Sequence, residues 1–137
     1  MLGRKRHIVT DTEGRVAGLD VHDADLQDPE AGKDVLDVTK GEHPDLAKVW
    51  ADGRYQGSFV DFANDELGIN VEIVTRAPDA KGFVLLARRW VVERTFSWLI
   101  ACRRLVRDDE QLTESSKAWI YIAMARLYLH RLATMTP

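Results

Sequence analysis

Apolar positions near the start of the chain fall in two short runs separated by a turn. Residues 6–10 and 15–21 are rich in apolar and β-branched side chains, and the segment between them ends in Gly14. Two such runs around a glycine turn predict a β-hairpin. In residues 27–38 the apolar positions have helical spacing and acidic residues come early, so this segment predicts a helix, which Gly41 and Pro44 are expected to end.

The middle of the chain has the pattern of a strand, a helix and a second strand. Residues 46–51 form a short apolar run that stops at Asp52, residues 58–67 have helical spacing with Gly68 just beyond, and residues 71–74 form another apolar run. A helix that links two neighbouring strands predicts a parallel pair with a right-handed crossover.

Helical spacing dominates the last third of the chain. After an apolar run at 83–86, residues 88–105 predict one helix. Residues 115–132, rich in Ala, Leu, Ile and Tyr, predict a final helix that is mostly buried. The large aromatic side chains of this region are more typical of a core than of base-stacking groups: Trp90, Phe96, Trp98 and Trp119.

The order of these elements predicts an α/β fold in a single domain, residues 1–137, around one core. The composition, 45% hydrophobic and 30% charged, is that of a globular protein. One cysteine, Cys102, excludes an internal disulfide, and no apolar run is long enough to cross a bilayer. A cytoplasmic protein without a membrane partner is therefore expected. The four histidines lack metal-ligand spacing: His7, His22, His43 and His130.

Charge is unevenly distributed along the chain. The net charge of −3 gives no bulk argument for nucleic-acid binding. Residues 20–45 are acid-rich, whereas residues 88–107 have one carboxylate, Glu93, among six arginines: Arg88, Arg89, Arg94, Arg103, Arg104 and Arg107. The basic segment fits either a phosphate-contacting face or a solvated helix face.

Asp52 and Glu93 are the carboxylates with candidate chemistry. Asp52 directly follows a predicted strand, and ligand sites in α/β sheets lie beyond the carboxyl ends of strands, although Asp-Gly is also a common turn sequence. Glu93 lies in a predicted helix among arginines, where an ion pair with Arg89 is the ordinary alternative. If that helix packs across the strand, both carboxylates reach one sheet edge, where they suit a hard ion such as Mg²⁺.

Four strings, in this order, resemble bacterial insertion-sequence transposases of the IS-five type. They are GRKRHIVTDTEG at 3–14, VHDADLQD at 21–28, WADGRYQG at 50–57 and RRWVVERTFSW at 88–98. The terminal YIAMAR at 121–126 agrees, so the resemblance covers nearly the whole chain.

The resemblance implies an RNase H-like mixed sheet flanked by helices, and metal-dependent DNA cleavage and strand transfer at insertion-sequence ends. Two Mg²⁺ ions, replaceable by Mn²⁺, would be held by an Asp-Asp-Glu triad, with double-stranded DNA as partner and a homo-oligomer in the intact protein. Asp52 matches the second Asp, Glu93 the Glu, and Arg89 the arginine four residues before it. A DNA contact is also expected from Arg94. Leu86 and Ile100 stand where the family has a Tyr and a Lys, and Arg103 and Arg104 are expected to contact DNA in their place.

The first Asp of the triad lies in this family on a strand before the GRKRH segment, and the chain begins at Met1. The sequence is therefore expected to be the C-terminal part of the catalytic domain, lacking the first, central strand. Asp11 and Asp20 match family positions outside the triad. A catalytically inactive remnant that binds DNA or an intact transposase is the alternative, and a general RNase H-like nuclease a third interpretation.

Overall fold

The computed structural model describes residues 3–75, 79, 81–82 and 87–135, apart from the side chains of Ala87 and Arg89. The predicted run at 83–86, with Leu86, lies outside them. The described strands and helices, in chain order, are β1 Arg4–Thr10, β2 Val16–Asp23, α1 Asp28–Glu42, β3 Lys48–Asp52, α2 Ser58–Leu67, β4 Asn70–Val74, α3 Ala87–Ile100, α4 Arg103–Val106 and α5 Thr113–Met135. The fold is mixed α/β, as expected.

β1 and β2 form the predicted hairpin. They are antiparallel, from the pair Arg4 and Asp23 to the pair Thr10 and Val16, with an irregularity before Thr10. Asp11 shapes the turn, because its Oδ1 accepts backbone hydrogen bonds from Glu13 and Arg15, both at 2.9 Å. Gly14 follows with a φ of 85°, a conformation that glycine adopts without strain.

β3, α2 and β4 form the predicted strand–helix–strand unit, and the two strands are parallel. α2 has the predicted bounds because Gly68 adopts a left-handed conformation, φ 64°, directly after it. The described strands thus make two separate two-stranded sheets, β1–β2 and β3–β4.

α1 begins near the predicted position and runs four residues beyond the predicted end at Val38. Of the two residues expected to end it, Gly41 lies inside the last turn, which is held by packing and hydrogen bonding, and Pro44 lies two residues beyond the end of the helix. Thr39 is buried, its hydroxyl donates to the Val35 carbonyl at 2.6 Å, and the backbone N–H of His43 donates to the Thr39 carbonyl at 2.8 Å.

The single helix predicted at 88–105 is wrong, since the chain breaks at Cys102 into α3 and α4. Cys102 has extended backbone angles, φ −83° and ψ 117°. In an unbroken helix, Leu99 and Leu105 would point about 120° apart. The break lets both side chains enter the same buried cluster.

The buried hydrophobic residues of the described part of the chain form two clusters where a single core was expected. The first joins the hairpin to the C-terminal helices through Leu19, Val21, Leu99, Leu105, Ile120 and Met124. The second lies beneath β3 and β4 and consists of Leu36, Phe59, Ala63 and Ile69. The two clusters divide the molecule into a hairpin side and a parallel-sheet side, with α1 in contact with both.

The prediction that the final helix is mostly buried is also wrong. α5 buries Ser116, Ile120 and Met124. One narrow face therefore attaches it to the hairpin, and several large apolar side chains are exposed: Tyr121, Ile122, Leu129, Leu132 and Met135. Among the described residues, no helix combines the length and apolar content needed to cross a membrane.

Two tryptophans predicted for the core are exposed. Trp90 is 44% exposed and Trp119 is 36% exposed, whereas Phe96 packs against the first cluster. The guanidinium of Arg94 lies 4.8 Å from the ring centre of Trp90, and that of Arg104 lies 4.7 Å from the ring centre of Trp119. Cation–π contact lets an arginine cover an indole ring without burying it in the core.

Three consecutive basic residues hold β1 to distant parts of the chain. Arg4 donates to Ser116 Oγ at 2.9 Å and to the Gln111 carbonyl at 2.7 Å. Lys5 pairs with Asp28 at 3.1 Å, and Arg6 donates to the Leu105 carbonyl at 2.9 Å. β1 is thereby fixed to α1, α4 and the start of α5.

Candidate functional site

A cleft of about 570 Å³ lies between the hairpin and the parallel sheet. Residues 6–12 and 48–52 line it in unbroken succession, one run from β1 and its turn and the other from β3. Side chains alternate between the two faces of a strand, so lining by every residue means that the strand edges face the cleft. β1 and β3 pair on their other sides, with β2 and β4.

Apolar side chains from the helices enclose the cleft. Val35 and Leu36 of α1 line it, as do Val91, Val92 and Phe96 of α3. A space with strand edges at its sides and apolar helix residues around it resembles the surroundings of a central strand, which is covered on both faces.

Asp52 is the last residue of β3 and lines this cleft. Its Oδ1 accepts a hydrogen bond from the backbone N–H of Arg54 at 2.9 Å, which caps the short 3₁₀ turn Gly53–Tyr55. Asp52 therefore has the turn role that its Asp-Gly sequence suggests and also faces the cleft at a strand end. A role in the turn and a position at the candidate site are therefore compatible for this residue.

Glu93 lines the same cleft from α3, which contacts both β1 and β3. The Ser97 hydroxyl donates to the Glu93 backbone carbonyl at 3.1 Å, one turn later in the helix. The side chain of Arg89, its predicted ion-pair partner, lies outside the described residues. Two carboxylates 41 positions apart in sequence thus belong to one cleft.

A family model described as the transposase DDE domain matches residues 2–128. The chain belongs to this family. Comparison with curated proteins and with solved structures gave no match. The family is one of transposases, enzymes that act on DNA.

The arginines predicted to bind DNA have different environments in this DDE domain. Arg94 donates to the Glu13 carbonyl at 2.9 Å and lies over the rings of Trp90 and Trp98. Arg104 forms an ion pair and hydrogen bonds with Glu110. Arg103 is exposed on α4. The side chain of Arg89 lies outside the described residues.

Four basic residues line the cleft: Arg6, Lys48, Arg54 and Arg88. Arg88 belongs to the basic segment noted in the sequence, whereas the other three were not singled out there. The guanidinium of Arg88 lies 4.3 Å from the ring centre of Trp50, and Lys48 Nζ lies 5.0 Å from it. Basic side chains beside acidic ones suit a site that binds phosphate and a cation together. Arg6, Arg54 and Arg88 lie in the strings that resemble insertion-sequence transposases, and this resemblance was the sequence signal that could have pointed to them.

A buried polar group in the DDE domain was also missed. His7, only 5% exposed, has its Nδ1 2.6 Å from the Tyr55 hydroxyl, and both residues line the cleft. The ring of His7 stacks on that of His22, with centres 4.6 Å apart. Burial lowers the pKa of His7, and the nearby His22 lowers it further. Burial likewise raises the pKa of Tyr55 to about 12, with Asp28 and Asp52 adding to the shift.

DDE transposases typically use divalent metal ions. Within the described part of the chain, no three His, Cys, Asp or Glu side chains cluster as a metal-binding group. Asp52 and Glu93 nevertheless supply two carboxylates to one cleft. Mg²⁺ keeps several water ligands and commonly binds through one or two carboxylates, so these two residues fit the ion's chemistry.

Proposed function

We propose that the chain is the C-terminal part of a transposase catalytic domain that cleaves DNA and transfers strands at insertion-sequence ends. The observation that carries the proposal is the presence of Asp52 and Glu93 on the walls of one cleft. The DDE family match supplies the reaction class. The four matching strings support the IS-five type, and the intact protein is proposed to act as a homo-oligomer.

In this proposal Asp52 and Glu93 hold Mg²⁺ from opposite elements, β3 and α3. The ions, two in the complete site, supply activation of the attacking oxygen and stabilisation of the leaving oxygen. The hydrogen bond from Arg54 fixes one oxygen of Asp52. Arg54 and Arg88 line the cleft and are proposed to bind DNA phosphates there, while Arg103 extends the basic surface along α4.

The third carboxylate is proposed to lie on a strand seated between β1 and β3. Both strands present an edge to the cleft, and apolar residues of α1 and α3 surround it. A strand there would join the two small sheets into one RNase H-like mixed sheet. Its backbone would pair with β1 on one side and β3 on the other.

The experiment is a Mg²⁺ and Mn²⁺ titration by calorimetry, followed by nicking of supercoiled DNA. Asp52→Asn and Glu93→Gln should each weaken metal binding and abolish nicking. Asp65→Asn and Glu66→Gln make the same chemical changes on exposed residues of α2 away from the cleft and should have no effect. Nicking that survives both cleft substitutions would overturn the assignment.

A non-catalytic role is the second candidate, because no three-residue metal cluster is found in the described residues. In that case the chain binds DNA or an intact transposase but does not nick. DNA binding without nicking, with no nicking on addition of Mn²⁺ or excess Mg²⁺, would favour it.

A general nuclease is distinguished from a transposase by strand transfer. A transposase joins a labelled duplex end to a target plasmid, whereas a general nuclease only cuts.

A further inference from the structure

A polar link crosses the cleft between the two sheets. His7 lies in the middle of β1, and Tyr55 ends the 3₁₀ turn that follows Asp52. The distance from His7 Nδ1 to the Tyr55 hydroxyl is 2.6 Å, and the rings meet edge to face with centres 5.9 Å apart. This contact connects the hairpin to the end of β3.

The direction of the hydrogen bond follows from the chemistry of the two groups. A phenol whose pKa is raised to about 12 stays protonated at neutral pH and donates. Burial lowers the pKa of His7, so its ring is neutral and Nδ1 accepts. The proton then lies on Nε2, which is buried, has no hydrogen-bond partner among the described residues and is 3.9 Å from Asp28 Oδ1.

Packing restricts the Tyr55 ring from the other side. A Cβ added to Gly32 of α1 would lie 2.9 Å from two carbons of this ring, so the helix backbone approaches it closely. The ring of Phe59 is 5.2 Å from it, centre to centre. Tyr55 is therefore held by van der Waals contact with α1 and α2 and by a hydrogen bond to β1.

The position of Tyr55 controls that of Asp52 through a three-residue turn. The backbone N–H of Arg54, next to Tyr55, donates to Asp52 Oδ1 at 2.9 Å. The N–H of Gln56 closes the turn on the Gly53 carbonyl at 3.4 Å. In so short a turn, a displacement of Tyr55 moves the donor that orients the Asp52 carboxylate.

We propose that Tyr55 and His7 are positioning residues for Asp52, and that the hydrogen bond between them sets the orientation of its carboxylate in the cleft. The orientation of the Asp52 carboxylate is a property of the fold alone, whereas its consequence for metal binding rests on the proposed function. Neither side chain needs to contact the metal or DNA.

The first test measures hydrogen exchange at the Arg54 amide and the Asp52 side-chain rotamer by NMR, on the full chain without metal. Tyr55→Phe keeps the ring and removes the hydroxyl. It should speed Arg54 exchange about two- to tenfold, the range that one hydrogen bond corresponds to. Tyr121→Phe, an equivalent change at an exposed tyrosine, should leave it unaltered. Unchanged exchange and an unchanged Asp52 rotamer in Tyr55→Phe would overturn the proposal.

His7 offers a matched pair of substitutions. An asparagine oxygen can stand near the position of histidine Nδ1, so His7→Asn should keep Arg54 exchange close to that of the unaltered chain. His7→Leu lacks an acceptor and should reproduce the effect of Tyr55→Phe. The double variant His7→Leu/Tyr55→Phe should add little to either change, since all three remove the same hydrogen bond. Additive effects would contradict the proposal.

The second test is Mn²⁺ affinity at a temperature where all variants are folded. Tyr55→Phe and His7→Leu should weaken Mn²⁺ binding about two- to tenfold, and His7→Asn should restore it. If the unaltered chain binds Mn²⁺ through Asp52 but Tyr55→Phe binds equally well, the positioning role is wrong and the proposed function stands. If the unaltered chain does not bind Mn²⁺, the proposed metal site is wrong, and the exchange measurements alone decide the positioning role.

Discussion

The hydroxyl of Tyr128 accepts a hydrogen bond from the backbone N–H of Val16 at 2.8 Å. Val16 begins β2, beside the irregular end of the hairpin, so this bond joins α5 to the sheet where regular strand pairing stops. Tyr128→Phe keeps the ring and removes the acceptor. We expect a loss of about 1 kcal/mol in the free energy of unfolding, measured with urea.

Tyr121→Phe is the control for this change, since Tyr121 is an exposed tyrosine on the same helix. It should leave the free energy of unfolding unaltered. An equal effect of the two substitutions would show that the Val16 contact contributes nothing.

Gly18 and Thr39 form a close contact between β2 and α1. A Cβ at position 18 would lie 2.0 Å from Thr39 Oγ1. Gly18→Ala is therefore expected to destabilise the fold by roughly 1–3 kcal/mol, as overpacking does. In Gly18→Ala/Thr39→Ala the clashing oxygen is gone, and the double variant should be more stable than Gly18→Ala alone. Thermal unfolding of the unaltered chain, the two single variants and the double variant gives the coupling free energy between the two positions. If the destabilisations of the single variants simply add in the double variant, the steric explanation is wrong.

Stability should fall as the pH drops below about 6.5, because His7 is buried in its neutral form. Burial and His22 lower the pKa of His7, Lys5 lowers it slightly, and Asp28 and Asp20 oppose the shift. A group with a depressed folded-state pKa takes up its proton more readily in the unfolded chain, so protons favour unfolding. The loss begins near the ordinary pKa of 6.5 and ends at the lower folded-state pKa.

Urea unfolding at pH 7.5 and 5.5 measures this dependence. His7→Asn should flatten it, whereas His43→Asn, at an exposed histidine after α1, should retain it. Equal slopes in the unaltered chain and in His7→Asn would assign the dependence to other groups.

Asp108 organises the segment between α4 and α5. It accepts hydrogen bonds from Ser116 Oγ at 2.7 Å and from the Glu110 backbone N–H at 3.1 Å, and it lies 3.4 Å from Arg4. Burial acts to raise its pKa, but the hydrogen bonds from Ser116 and Glu110 and the charge of Arg4 leave the pKa below its ordinary 3.8.

Asp108→Asn should therefore destabilise the chain by about 1–3 kcal/mol at pH 7. The stabilisation from this carboxylate is present above pH 3.8 and is lost as the pH falls through the folded-state pKa. The difference between the two chains should shrink as the pH is lowered below 3.8. Asp109→Asn, an exposed neighbour, serves as the control.

Arg103 and Arg94 should separate DNA binding from folding. Arg103 is exposed, whereas Arg94 is held by Glu13 and two tryptophan rings. Arg103→Ala is expected to weaken DNA binding without a change in Tm. The slope of the logarithm of the binding constant against the logarithm of the salt concentration should become shallower by about one. Arg94→Ala should lower Tm. DNA affinity by fluorescence anisotropy at several salt concentrations, with calorimetric Tm, tests both.

Local sequence signals predicted the elements whose ends depend on nearby residues. Gly68 ends α2 because only its own left-handed backbone is needed, and the hairpin turn depends on Asp11 and Gly14. The break at Cys102 had no such signal. It arises from where Leu99 and Leu105 find buried space, which is a property of the folded molecule.

In the candidate site, too, the sequence singled out some residues and missed others. The strand-end position of Asp52 and the matching string around Glu93 singled out both carboxylates. The link between His7 and Tyr55 was not predictable, because 48 positions separate them and the hydrogen bond exists only once both sheets are in place. Arginine stacking on Trp90 and Trp98 also lacked a signal, because hydrophobicity alone places tryptophan in a core.

The three basic residues that hold β1 have a consequence for folding during synthesis. The hairpin can form once residue 23 has left the ribosome, since its pairing is local. The partners of Arg6 and Arg4, the Leu105 carbonyl and Ser116 Oγ, are made roughly 80 to 90 residues later. Chains emerge at about 5–20 residues per second, so β1 stays incompletely anchored for several seconds after it first pairs. During that interval the hairpin is held by its own strand pairing and by contacts with segments already made, such as that of Lys5 with Asp28.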